Sequence, residues 1–256
     1  MEREREATKM GTTGRFVWRE ALTTDTVATC TFYKALFGWT LKPVDMGGMT
    51  YTLIHLGEKQ IGGIMTLPPN AKGAPSSWMS YCSVDDVDAA AVRAVEAGGK
   101  LFMAPHDIPD IGRFAMLQDP LGALVTVWKS KGEDGADAPP AVGEFCWEQL
   151  VTTSTDDAKD FYGKVFGWKT KVFAGEASTT IFTASGLDVA SMMGQEGAPS
   201  HWVTYVRVAS LADANAKVKE LGGKLMMENI PVPGMGALSI LQDPTGAVLG
   251  LFEGNM

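Results

Sequence analysis

The stretch FVWREALTTDTVATCTFYKALFGW (16–39) meets a second version of itself, FCWEQLVTTSTDDAKDFYGKVFGW (145–168), shifted by 129 positions. Further along, WMSYCSV (78–84) returns as WVTYVRV (202–208), AGGKLFM (97–103) as LGGKLMM (221–227) and LQDPLGA (117–123) as LQDPTGA (241–247), now shifted by 124. Anchors in one order at nearly constant spacing mark a duplication. The drop of five falls between anchors, in hairpin loops where deletions are tolerated. Between the copies lies KSKGEDGADAPPAVG (129–143), rich in Gly, Ala, Asp and Pro, which reads as a linker. The expected organisation is a flexible tail over 1–14, a first module over 15–129, a linker over 130–143 and a second module over 144–256.

Within a copy, residues 15–23 read as extended. Asp25 stands where an N-cap belongs, Val27, Phe32 and Leu36 supply an apolar helical face, and Gly38 stops the helix. Ser154 with Asp157 resembles a capping box in the second copy, with Gly167 as the stop. Short strands follow at about 40–44, 49–56 and 60–66. A second unit opens with strand 77–84 and a helix from Val87 to Ala97, with Val87, Ala91 and Val95 on one stripe. Gly98-Gly99 closes it, and strands near 100–103, 113–118 and 123–128 complete the copy. Asp119-Pro120-Leu121-Gly122 and Asp243-Pro244-Thr245-Gly246 are hairpin turns. Each copy is thus two βαβββ units. The fold class is α+β, four such units in two modules forming mixed, mainly antiparallel sheets with helices outside.

Composition narrows the partners. The 256-residue chain carries a net charge of −8, which argues against nucleic acid. No apolar run approaches the roughly 18 residues of a membrane span. The start, MEREREATKM, is charged and unlike a secretory signal, and Met10 is an alternative start. Cys30, Cys82 and Cys146 are odd in number and far apart, as expected of small apolar residues in a reducing compartment, so the cytoplasm is the expected location.

The pattern of a strand, then D-x6-FY-x3-FGW (Asp25, Phe32, Tyr33, Phe37, Gly38, Trp39), a helix ending in GG, and DPxGA before a last strand resembles the vicinal-oxygen-chelate (glyoxalase/bleomycin-resistance/dioxygenase) superfamily. More narrowly it resembles the two-module, Cfp30B-like bacterial members. The resemblance covers both copies and implies sheets curled around a cavity. Metal-dependent members hold a divalent ion there through His, Gln and Glu side chains. Carried over, the first-strand position is Trp18 or Trp147, the fifth-strand position Met79 or Val203, and the last-strand Glu position Thr126 or Gly250. Indole, thioether, isopropyl, one hydroxyl and a bare glycine cannot chelate a cation. The expectation is therefore no metal and no cofactor. The three histidines, His55, His106 and His201, share no ligand-pair spacing and read as surface or loop residues bonded to backbone.

Strand alternation extends that face from Trp18 to Glu20, from Met79 to Tyr81, and from Thr126 to Trp128. In the second copy it runs from Trp147 to Gln149, from Val203 to Tyr205 and Arg207, and from Gly250 to Phe252. The expected ligand-binding set is Trp18, Glu20, Met79, Tyr81, Trp128, Trp147, Gln149, Tyr205 and Arg207 around one shared hollow. Such a lining stacks a flat apolar or aromatic ligand; equally, it fills a collapsed core. Glu20, matched by neutral Gln149, is either a general base or the partner of Arg19, Arg113 or Arg207. Arg207 holds a ligand anion or lies on an edge. The first function is metal-independent binding of a small aromatic or apolar metabolite or drug, and the second is lyase or isomerase chemistry on a carbonyl substrate with Glu20 as base. A metal enzyme with ligands at other positions and a structural or interaction role stay open beside them. The partner expected is a small molecule, with neither nucleic acid nor membrane, and the chain is expected to be a monomer, a homodimer being the alternative.

Overall fold

The computed structural model describes residues 13–68, 71, 73–132, 139–174, 176–197 and 199–255. Most of the expected tail, including Met10, and the middle of the expected linker lie outside these residues. The first copy runs β1 (Phe16–Thr23), α1 (Thr26–Phe37), β2 (Thr40–Asp45), β3 (Thr50–Leu56), β4 (Lys59–Thr66), β5 (Ser77–Ser83), α2 (Val87–Glu96), β6 (Lys100–Ile108), β7 (Gly112–Gln118) and β8 (Leu124–Ser130). The second repeats it: β9 (Phe145–Thr152), α3 (Thr155–Phe166), β10 (Lys169–Phe173), β11 (Glu176–Ala184), β12 (Leu187–Gly194), β13 (His201–Arg207), α4 (Leu211–Glu220), β14 (Lys224–Val232), β15 (Gly236–Gln242) and β16 (Val248–Gly254).

Each copy forms one eight-stranded mixed sheet, ordered β2-β3-β4-β1-β5-β8-β7-β6 and β10-β11-β12-β9-β13-β16-β15-β14. The parallel pairs β1/β4 and β5/β8 are those that a βαβββ unit requires, and the rest of the first sheet is antiparallel. The α+β class and the tandem βαβββ architecture follow from the repeat. Neither sheet closes into a barrel, as the end strands β2, β6, β10 and β14 each have a single neighbour.

Local chemistry sets the element ends. Asp25 caps α1 by accepting from the Val27 and Ala28 amides at 3.0 Å, and Gly38 ends it at φ 72°, a conformation that costs glycine nothing. In the DPxG turn the Asp119 carboxylate takes the Leu121 and Ala123 amides at 2.9 and 2.8 Å.

Two details differ from the sequence reading. In α1 the buried residues are Thr29, Phe32, Tyr33 and Leu36, while Val27 is 75% exposed. In α2 they are Val87, Ala90, Ala91 and Ala94, with Val95 51% exposed. The i, i+3, i+4, i+7 stripe selects the small alanine and leaves the larger valine in water.

The helix-side cores are shared between copies. One joins α2 and β7–β8 to Tyr162, Phe161 and Trp168 around α3. The other joins α1 and β3–β4 to Leu241, Leu249 and Leu251 around α4. Polar contacts repeat the exchange. Tyr162 donates to the Asp119 carboxylate at 3.1 Å and accepts from the Trp202 indole at 2.9 Å. The Trp39 indole donates to the Gly143 carbonyl and the Trp168 indole to the Gly14 carbonyl, both at 2.8 Å. The FY, FGW and DPxG residues that carry the resemblance are thus the mortar between the two copies.

Candidate functional site

With the helices on one face of each sheet, the other face carries a separate apolar cluster. On the first sheet it is Met79, Tyr81 and Met116, with Trp18, Met103, Phe114, Leu124 and Trp128 packed over them. On the second it is Val151, Val203, Tyr205, Ile240 and Phe252, with Trp147 alongside. Every residue of each cluster belongs to one copy. The expected lining is therefore divided between two faces, and the single shared hollow is not formed. Trp18, Glu20, Met79, Tyr81 and Trp128 come together on the first face; Trp147, Gln149 and Tyr205 come together on the second. The physical reason is that each sheet is complete within its own copy, and the surfaces pressed together are the helix-bearing ones.

On the first face Glu20 stands beside Met79 and Gly63 in register and is only 7% exposed. The Tyr81 hydroxyl donates to its carboxylate at 2.9 Å. The Tyr51 hydroxyl neighbours the same carboxyl and accepts from the Trp18 indole at 3.0 Å. Gly63 makes room, since a Cβ there would fall 2.0 Å from the Tyr51 hydroxyl. Burial raises the Glu20 carboxyl above the usual carboxylate range, against the lowering effect of the two tyrosines. Burial, and then the Glu20 charge, push Tyr51 and Tyr81 upward, so both remain phenols that donate.

None of the three arginines weighed as partners reaches Glu20. Arg19 turns to the helix side and pairs with Glu148 at 2.8 Å. Arg113 holds Asp88 and Asp107 at 2.8 and 3.1 Å. Arg207 donates to the Pro140 and Gly254 carbonyls at 2.8 and 3.1 Å, so its fork ties the segment before β9 to the end of β16.

The second face is quieter. Tyr205 donates to the Gln149 amide oxygen at 2.7 Å and the Trp147 indole to Ser191 at 2.9 Å. The Tyr205 ring lies on Gly250, where a Cβ would come within 2.2 Å of it.

Of the three histidines, His201 is the exposed, backbone-bonded residue expected, while His106 and His55 depart from the sequence reading. His106 lies on β6 opposite Phe114 instead of in a loop. His201 opens β13, with Nδ1 2.8 Å from the Pro199 carbonyl. His55 is buried, and neither ring nitrogen finds a hydrogen-bond partner among the described residues. Tyr51 and His55, which share the face of Leu53 on β3, were absent from the expected lining.

Of the carried-over chelating positions, Trp18 and Thr126 flank Tyr81 in register from either side and Met79 stands opposite Glu20, all on the first face. The oxygen donors among them and around them are one carboxyl, two phenols and one threonine hydroxyl. Among the described residues no three of His, Cys, Asp or Glu converge. This donor set does not fit a divalent transition ion. A cleft of about 380 Å3 elsewhere, where Gly14, Asp85 and Asp86 meet Arg93 and Lys164, touches none of the predicted lining.

Similar proteins agree with this fold. The model of the Glyoxalase/Bleomycin resistance protein/Dioxygenase superfamily matches residues 15–127. "Putative glyoxylase CFP32" of Mycobacterium tuberculosis is 33% identical over 244 residues, covering 92% of this chain and 93% of that protein. "Anthracycline biosynthesis protein DnrV" of Streptomyces peucetius is 30% identical over 257 residues, covering 94% and 93%. Among solved structures, the 2,3-dioxygenase LapB from Pseudomonas sp. KL28 superposes at TM-score 0.67 with 12% identity, over 96% of this chain and 94% of that one. The Mn(II)-bound glyoxalase from Novosphingobium aromaticivorans gives 0.63 with 16% identity, over 94% and 82%. The duplicated sheets, the motif residues that join them and this level of identity across nearly the whole chain place it in the glyoxalase/bleomycin resistance protein/dioxygenase superfamily.

Proposed function

We propose that the helix-free face of the first sheet binds a small aromatic or apolar molecule without the help of a metal ion. Glu20 carries this reading. A buried carboxyl held among Trp18, Tyr51, Met79 and Tyr81, bonded to a tyrosine hydroxyl but with no cation beside it among the described residues, costs the fold more than an apolar side chain would. Apolar rings around a few convergent polar groups are the usual make-up of a small-molecule site. The relative named for anthracycline biosynthesis adds support, since anthracyclines are fused-ring aromatics of the kind such rings stack against. The face is covered by its own half-buried side chains. Met103 among them is unbranched and readily repacked, which suits a cover that a ligand displaces.

A second reading rests on the same residue and on the relative named a glyoxylase. A carboxyl whose pKa is raised by burial can exchange a proton with a carbonyl substrate, as a lyase or isomerase requires. Comparing Glu20→Gln with the parent in both binding and turnover separates the two. Native mass spectrometry of freshly purified protein tests the proposal itself. The expected spectrum shows the chain with an organic adduct or alone; near-stoichiometric Fe, Zn, Ni or Mn overturns metal independence.

A further inference from the structure

Two buried polar groups on the first face have no hydrogen-bond partner among the described residues. Thr126 is fully buried beside Tyr81 and Met116 in register, and its hydroxyl has no partner among the described residues. His55 is 5% exposed on β3, where it alternates with Ile54 of the helix-side core and so faces the same way as Leu53 and Tyr51. Both of its ring nitrogens are unpartnered among the described residues. Such groups are rare in folded proteins because each forfeits its hydrogen bonds to water without return.

The second sheet provides an internal control. By register, Thr40 faces His55 and Lys169 faces Thr183, so Thr183 is the counterpart of His55; its hydroxyl donates to the Lys169 carbonyl at 3.4 Å. The counterpart of Thr126 is Gly250, which has no side chain and is roofed by Tyr205. The orphans belong to one face only. The same fold satisfies or deletes them on the other, so they are not a cost that the architecture imposes.

Resting on the binding reading above, we propose that His55 and Thr126 are ligand contacts. The first face takes one uncharged, planar molecule bearing hydroxyl or carbonyl groups on two edges, and the second face takes none. The Thr126 hydroxyl and the His55 ring can each donate and accept, so they pair with either group. Charge is selected against because among the described residues no Lys or Arg is buried and the buried charged group of this face is a carboxyl. A carboxylate, sulfonate or phosphate would meet Glu20 without a counter-ion.

The probe is 1,8-dihydroxyanthraquinone, which is flat and neutral with hydroxyl and carbonyl oxygens on opposite edges. Anthraquinone-2-sulfonate serves as its charged counterpart. Equilibrium dialysis with the full chain is expected to show one neutral dye per chain and binding of the sulfonate weaker by about tenfold or more. His55→Leu and Thr126→Val are each expected to weaken dye binding about tenfold, the ratio one lost hydrogen bond gives, while Thr126→Ser retains it. The unfolding midpoint of the ligand-free variants is expected to stay level or rise, because an apolar group replaces an unpaired polar one. Parent-like dye affinity in both variants, or a falling midpoint, overturns the assignment of these contacts and leaves the binding reading standing. Two dyes per chain overturn the single face, and equal affinity for the sulfonate overturns the preference for neutral ligands. A parent chain that takes up no dye counts against the binding reading and this inference together.

Discussion

Arg19 and Glu148 are the same position in the two copies, 129 residues apart, and they meet across the junction at 2.8 Å. Glu148 is fully buried and also accepts from Ser80 and Thr204, another repeat-related pair, at 2.8 Å each. A symmetric duplication would set two like residues against each other here; this chain sets a cation against an anion. Replacing Arg19 with Met strands a buried carboxylate and is expected to cost about 3–5 kcal/mol. The double variant Arg19→Met with Glu148→Met removes both charges and should recover most of that loss. Urea unfolding of the parent, both single variants and the double variant gives the coupling; additive losses would show that the pair is not interacting.

Glu20 should destabilise the fold at neutral pH. Its folded carboxyl lies above the ordinary value of 4.5, so the folded state holds the proton more tightly than the unfolded chain does. The associated stability is present below that value and is lost as pH rises through the raised one. Glu20→Gln mimics the protonated form. It is expected to match the parent at roughly pH 4 and exceed it at roughly pH 8, and thermal melts at the two pH values read the difference. An advantage that does not grow with pH would refute the shift.

The bond from Tyr162 to Asp119 crosses between copies, so it should matter to the whole molecule. Tyr162→Phe leaves the Trp202 indole and one Asp119 oxygen without this partner in the core. The expected loss is about 1–3 kcal/mol, with a single cooperative transition retained because the two copies share their cores. Two separate transitions would contradict the sharing.

Gly63→Ala tests the arrangement around Glu20. The added methyl would sit on the Tyr51 hydroxyl, so Tyr51 must leave, at an overpacking cost of about 1–3 kcal/mol. Trp18 then loses its indole partner, and its fluorescence should change. Unchanged emission together with unchanged stability would mean that Tyr51 does not occupy this place.

Much of this was readable in the residues. The caps at Asp25 and Ser154, the stops at Gly38 and Gly167 and the DPxG turns are local chemistry, complete within a few residues, and they placed the elements. Alternation correctly grouped Trp18 with Glu20 and Met79 with Tyr81. It went astray where the answer depended on distant chain. Nothing local told Arg19 to choose Glu148 over its neighbour Glu20, and nothing local marked His55 as buried.

The linear order of residues determined that one module is written twice and which elements each contains, because repeats, turns and caps are short-range properties. Only tertiary structure decided which face of each sheet is pressed against the other copy and which is not. Alternation defines two faces on a strand, but burial of one against its partner depends on contacts more than a hundred residues apart.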